Sequence, residues 1–338
     1  MHAQHTDGCT RRRFLGGLTV TGAVGLLGLQ PRPVAAEPPP ETTILRIPHV
    51  AVPCPAPQFV AEDLLRAEGF TDLQYVRPTP GPFTKALAAG EFDLSMLDIP
   101  SEVLSLDRGE PLVILAGVHV GCFELFSREK VRSVRELKGR TVAVTEEGGR
   151  RALVASMAVQ VGLDPRKDLH FVEHPSLEGM RLFAEGKVDA FIGFTPEPQE
   201  LRAKKIGHVV VSTALDRPWS QYFCCLAAGN RAFVRRHPVA TKRALRAILK
   251  AADVCANNPE RVARFLVDKG YADSYVYTLQ TIQEVPYDKW REYNPEDTVR
   301  FFALRLQEAG MIQSTPQKLI AQGTDWRFLN ELKRELKS

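Results

Sequence analysis

At 338 residues, 44% of them apolar, the chain is longer than one typical domain and able to bury a large core, so two domains are expected. Its net charge of +4 comes mostly from the first 36 residues: without Arg11, Arg12, Arg13, Arg32 and Asp7 the remainder carries +1. So small an excess argues against nucleic acid as the main partner.

The basic cluster Arg11-Arg12-Arg13 precedes a Gly-rich apolar run from Gly16 to Leu29, and Val34-Ala35-Ala36 offers small residues for cleavage before Glu37. This pattern predicts a signal peptide over residues 1–36, and its Arg-Arg-x-Phe-Leu core resembles the twin-arginine type. The apolar run, about 14 residues, is too short for a membrane anchor, which needs ~20. Cys9 lies before the run and is not placed to carry a lipid. The expected product is soluble and periplasmic, cleaved near Ala36.

After a Pro-rich linker, 37–42, residues 43–47 alternate like a strand, a Pro-rich turn covers 48–57, and a helix is expected over 58–68, closed by Gly69. A strand at 75–77, a turn at 79–83, a helix ending at Gly90, a strand at 93–97, a helix over 100–108 and a strand at 112–118 follow. This is a β-α-β-α-β-α-β order. Beyond a short helix-like piece at 133–138, strands are expected at 140–144, 169–172, 190–194 and 209–211. Helices are expected from the turn at 145–150 to Gly162, and over 177–184. The chain then returns to the first lobe through 222–227.

A helical tail completes it, with Asn258-Pro259-Glu260 and Asn294-Pro295-Glu296 as helix starts, Gly270 and Gly310 as stops and Asp325 as a further cap. In the helix over 240–256, Leu245, Ile248, Leu249 and Ala252 form the apolar stripe. Lys242, Arg243, Arg246 and Lys250 lie elsewhere and read as a solvated face.

One feature repeats. The stretch 87–100 recurs in outline as 183–196, with Gly90 and Gly186, Asp93 and Asp189, and Pro100 and Pro196 in register. Each copy reads as a helix stopped by Gly, an apolar strand and a Pro-containing turn. Ligands of such sheets gather outside the carboxyl ends of the strands, so the two turns are expected to face a shared cleft.

Cys54, Cys122, Cys224, Cys225 and Cys255 follow the leader. An odd number in an oxidising compartment leaves at least one free thiol. Their spacing carries no metal signature, and Cys224 and Cys225, on opposite faces of a strand, read as buried apolar filler. No metal, cofactor or catalytic residue is expected: the chain shows no Gly-Lys-Ser/Thr phosphate loop, no His-Glu-x-x-His and no Ser-His-Asp spacing.

The order of motifs at 86–93, 136–144, 186–191 and 230–238, behind a signal peptide, resembles the periplasmic substrate-binding proteins of ABC importers. Within these the chain is most similar to the nitrate, sulfonate and taurine (SsuA/TauA-like) group with its NMT1/THI5-like relatives. The resemblance implies an α/β type II periplasmic-binding-protein fold: two α/β lobes with a ligand cleft between them and a helical C-terminal tail. Lobe 1 is expected over 43–125 and 219–338, lobe 2 over 126–218. It also implies a monomeric receptor that closes on a small polar molecule or oxyanion and delivers it to an inner-membrane ABC permease.

By position, the groups expected to fix the ligand are His49, Asp98, His119, Glu146, Glu147, Gly148, Arg150, Glu197 and Gln221, with Phe83, Phe194 and Tyr222 as walls. The family's second-lobe turn commonly presents small residues to an anion at a helix start. Here Glu146-Glu147 precede Gly148-Gly149 instead, which opposes a bare anion unless Arg150 or Arg151 offsets them. Asp98, Glu146 and Glu197 suit N–H donors, as on an aminopyrimidine or a zwitterion. Two alternatives stand beside the receptor. One is a THI5-like pyrimidine-synthesising enzyme with a cysteine-rich metal motif, faintly echoed by Phe223-Cys224-Cys225. The other is a sensory binding protein without an importer.

Overall fold

The computed structural model describes residues 37–128, 131–145 and 149–336; the expected signal peptide lies outside them. β1 (Ile44–Pro48) and β2 (Asp72–Val76) form a parallel pair, connected through α1 (Ala56–Val60) and α2 (Glu62–Ala67). The single helix expected over 58–68 is thus two short ones, interrupted at Ala61, where ψ flattens to −4°. α3 (Phe83–Ala89) is ended by Gly90, whose φ of +78° only glycine takes without strain. β3 (Leu94–Asp98), α4 (Ile99–Asp107) and β4 (Leu112–Val120) follow.

The chain enters a separate, five-stranded sheet at β5 (Phe123–Ser127), a strand not among those expected from the sequence. β6 (Arg140–Val144), α5 (Arg150–Gln160), β7 (Leu169–Glu173), α6 (Ser176–Ala184), β8 (Ala190–Phe194), α7 (Glu197–Ala203) and β9 (His208–Ser212) complete it in the order β7-β6-β8-β5-β9. β10 (Phe223–Asn230) then returns between β3 and β4, antiparallel to both.

The chain therefore crosses into the five-stranded sheet and back once each, and the two crossings touch. The Thr213 hydroxyl accepts from the amides of Cys122 and Phe123 at 3.2 and 3.1 Å, and a disulfide joins Cys122 to Cys224. Gly121, at φ +66°, lies so close to Ala214 that a Cβ there would stand 2.5 Å from the alanine Cβ.

In both copies of the repeat the aspartate splices its strand to the strand that opens the unit. The Asp93 amide donates to the Arg46 carbonyl at 2.9 Å and its carboxylate accepts from the Arg46 amide at 2.8 Å. Asp189 makes the same pair with Thr141, at 3.0 and 2.9 Å.

The tail runs α8 (Arg231–Arg236), α9 (Pro238–Asn257), α10 (Pro259–Asp268), α11 (Tyr275–Glu284), α12 (Pro295–Glu308), α13 (Pro316–Gly323) and α14 (Arg327–Glu335). α9 buries its apolar stripe as expected, but its cations are not a solvated face. Arg246 pairs with Glu68 at 3.0 Å and Lys242 with Glu331 and Glu335 at 2.9 and 2.6 Å, because α2 and α14 lay carboxylates along that side. Residues 37–42 are more than a linker: Glu41 accepts from the Val239 and Ala240 amides at 2.9 and 2.8 Å and so caps α9. Burial opposes its charge, yet these two bonds win and hold the Glu41 carboxyl below its ordinary range. Asn294 caps α12 by accepting from Glu296 N at 3.0 Å, whereas Asn258 makes no such bond to α10. Among the described residues no helix is long and apolar enough to cross a membrane.

Candidate functional site

A cavity of about 720 Å³ opens where the carboxyl ends of strands from both halves of the repeat converge. The first half supplies the turn after β1 (His49 to Val52, with Cys54 and Pro55), Pro82 and Phe83 at the start of α3, and Ser95 to Asp98 on β3. The second supplies Thr145 after β6, Arg150 on α5, the His174-Pro175-Ser176 turn after β7, and Phe194 ending β8. Cys225 of β10 lies in the floor.

Of the expected residues, His49, Phe83, Asp98, Arg150 and Phe194 line this one cavity. Asp98 is also a helix cap, a role the sequence reading did not give it: its carboxylate accepts from Ser101 N at 3.0 Å and Ser101 Oγ at 2.8 Å. Burial pushes its carboxyl above the ordinary value, against the pull of those two bonds and of the Arg150 charge. Arg150 is the one guanidinium or ammonium among the described cavity-lining residues, and it is already engaged. Its Nη1 and Nη2 reach Glu197 at 2.7 and 3.2 Å, its Nη1 also donates to the Ile192 carbonyl at 3.1 Å, and its Cζ lies 5.8 Å from the Phe194 ring centre.

Glu197 is accordingly corrected from ligand group to support. It stands behind Arg150, accepting also from Phe194 N at 2.9 Å and from Ser176 Oγ, so its lone pairs are spent inside the second half. His119 is fully buried beneath the floor, against Cys54 and edge-on to Tyr287 at 5.1 Å. Gln221 and Tyr222 line a different, outer cleft; Tyr222 stacks on Phe301 of α12 at 4.1 Å, and that contact turns it from the cavity. Glu146, Glu147 and Gly148 lie outside the described residues.

Missed by the sequence reading were His174 and Ser176, although the repeat contains the signal. The turn at 79–83 has its second-half counterpart at 174–176, and naming one implies the other. Cys54, in the turn after β1, and Cys225, read as buried filler, are not among the expected ligand groups, yet both line the cavity. Below them Glu102 on α4 is fully buried, with no hydrogen-bond partner for either oxygen; burial first, then repulsion from Asp98 and Cys225, raises it well above a usual carboxylate.

Gly149 fixes how closely the halves approach. A Cβ on it would stand 2.0 Å from Asp98 Oδ1 and 2.7 Å from Pro100 Cβ, so the start of α5 fits against the start of α4 only without a side chain.

The fold is that of the periplasmic nitrate-binding protein NrtA from Synechocystis PCC 6803, superposed with a TM-score of 0.74 over 89% of this chain and 90% of that one at 16% identity. The aliphatic sulphonate-binding protein SsuA from Escherichia coli gives 0.64 over 85% and 91% at 18% identity. In sequence, the bicarbonate-binding protein CmpA of Synechococcus elongatus is 29% identical over 126 residues, 36% of this chain and only 27% of CmpA. The type II periplasmic-binding-protein fold expected from the motif order is therefore the fold observed. Residues 65–262, more than half of the chain, match the NMT1/THI5-like family model, and the chain belongs to that family.

Proposed function

We propose that this protein is an exported solute receptor that takes a small polar organic molecule into the cavity and delivers it to an inner-membrane ABC permease. The observation that carries the reading is the cavity itself, built from the carboxyl ends of strands in both copies of the repeat. Contacts from both sides favour the shut form, so the solute supplies the closing free energy and no bond need be made or broken. The relatives whose names give a solute take nitrate, bicarbonate or sulphonate. Here the cavity's guanidinium is neutralised by Glu197 while Asp98 faces the same space. That balance favours a solute with N–H donors, such as an aminopyrimidine or a zwitterion, over a bare oxyanion. Residues 1–36 are taken as the twin-arginine-type leader, residues 43–125 with 219–338 and 126–218 as the two closing lobes, except that β5 (Phe123–Ser127) goes whole with the second because it pairs with β8 and β9, and the working form as a monomer that binds no nucleic acid.

Thermal unfolding with nitrate, bicarbonate, sulfonates, taurine, aminopyrimidines and zwitterionic amines tests this, together with native mass spectrometry of the protein purified without added solute. A true solute at 100 times its dissociation constant stabilises by about 2.7 kcal/mol. Stabilisation by the N–H-bearing members is the expected result. A shift with nitrate or sulfonates alone sinks the solute class, and a covalent pyridoxal adduct sinks the receptor.

A further inference from the structure

Beneath the cavity floor, three side chains that bind soft metals converge from three distant parts of the sequence. Cys54 comes from the turn after β1, His119 from β4 and Cys225 from β10. Cys54 Sγ lies 3.2 Å from His119 Nε2 and 3.7 Å from Cys225 Sγ. All three residues are buried, at 0, 0 and 4% exposure. The Cys122 sulfur falls within the same 4.8 Å group but is tied to Cys224.

We propose that Cys54, His119 and Cys225 form a zinc site, with the fourth coordination position reached from the cavity. The spacing supports it. With Zn–S near 2.3 Å and tetrahedral angles, two thiolates on one ion stand about 3.8 Å apart and a thiolate and an imidazole nitrogen about 3.5 Å, so the Cys54–Cys225 and Cys54–His119 pairs need change by only a few tenths of an ångström, and all three ligand atoms already lie within 4.8 Å of one another. The imidazole is set up for the task. A proton on Nδ1 donates to the Val120 carbonyl at 3.3 Å, which directs the Nε2 lone pair to the sulfurs, the outer-shell arrangement that orients metal-ligating histidines.

Tyr287 fixes the remaining corner by donating from its hydroxyl to the Cys54 carbonyl at 2.9 Å. Charge selects the ion. Two thiolates and a neutral imidazole cancel a divalent cation, whereas a monovalent one leaves a net negative charge buried near Asp98 and Glu102. Cys54 and Cys225 line the cavity and His119 does not, so an ion held by all three is open to the solute's side. This inference does not depend on which solute is bound: a metal titration and a solute panel can fail separately.

The test is titration of the purified, metal-stripped full chain with cobalt(II) as a spectroscopic stand-in, then with zinc. One equivalent of cobalt should produce thiolate-to-cobalt charge-transfer absorption that one equivalent of zinc abolishes. Zinc should also protect two thiols from alkylation. Cys54→Ser and Cys225→Ser should each weaken zinc binding by more than the roughly 100-fold that loss of an outer-shell partner costs. Cys255→Ser, which removes the buried thiol of α9, should leave binding unchanged. Folding of each variant is checked by circular dichroism, and the wild-type stoichiometry needs no variant. Absence of the charge-transfer band in folded protein overturns the site, as does a Cys54–Cys225 disulfide or a preference for copper(I) over both divalent ions.

Discussion

The two copies of the repeat use one device at different depths. Gly90 and Gly186 turn at φ +78° and +77°, and Asp93 and Asp189 each bridge to the strand that opens their unit through the same pair of backbone bonds. Asp93 does this with its side chain 4% exposed and with the Arg46 guanidinium on it at 2.5 Å. The Asp189 side chain is 38% exposed, and Arg140 stands off at 3.5 Å. A shared residue in a shared geometry thus carries unequal energy, since the first carboxylate has no water to fall back on and the second does.

The largest expected effect follows directly. Asp93→Ala strands the backbone amide of Arg46, while the half-exposed guanidinium turns to water, and should cost about 2 kcal/mol in urea unfolding. Gly149→Ala comes next and tests where the copies meet. Its Cβ collides with Asp98 and Pro100 of the other half, so the halves must stand further apart and solute affinity should fall about tenfold, close to 1.4 kcal/mol. Isothermal titration with the most stabilising solute of the panel reads this. Asp189→Ala should cost about 1 kcal/mol. Equal losses for the two aspartate variants would break the comparison.

The smallest effect is Glu41→Ala, which removes the cap of α9. Because the folded-state pKa of Glu41 is lowered, its contribution is fully present above the unfolded value and lost as pH falls through the folded one. The variant should therefore unfold at nearly the wild-type midpoint in acid and slightly earlier at neutral pH.

Much of this fold could be read from local punctuation. The Gly and Asp of each copy fix a left-handed turn and a strand splice, and Gly270 and Gly310 stop α10 and α12 at φ +73° and +69° as expected. What escaped was set by tertiary contact. β5 is a short run, Phe123-Glu124-Leu125-Phe126-Ser127, that follows β4 after only Gly121 and Cys122, so the two strands read as one apolar stretch. Tyr222 sits one residue before β10, but stacking on Phe301, about 80 residues on, decides where it faces. Glu197 looked like a ligand group because sequence does not show that Arg150 and Ser176 arrive to consume it. The thiol and imidazole cluster escaped for the same reason: metal motifs are recognised by close spacing, and Cys54, His119 and Cys225 are neighbours only after the sheets form.

The adjoining crossings between the sheets have a mechanical consequence. Two separate tethers permit bending, twisting and sliding, but here Thr213 laces one to the other, Gly121 sits against Ala214, and the Cys122–Cys224 bond clamps the junction to β10. For the closure proposed above, a pair fastened in this way serves as the pin of a door, with swing about a single line as the freedom it leaves.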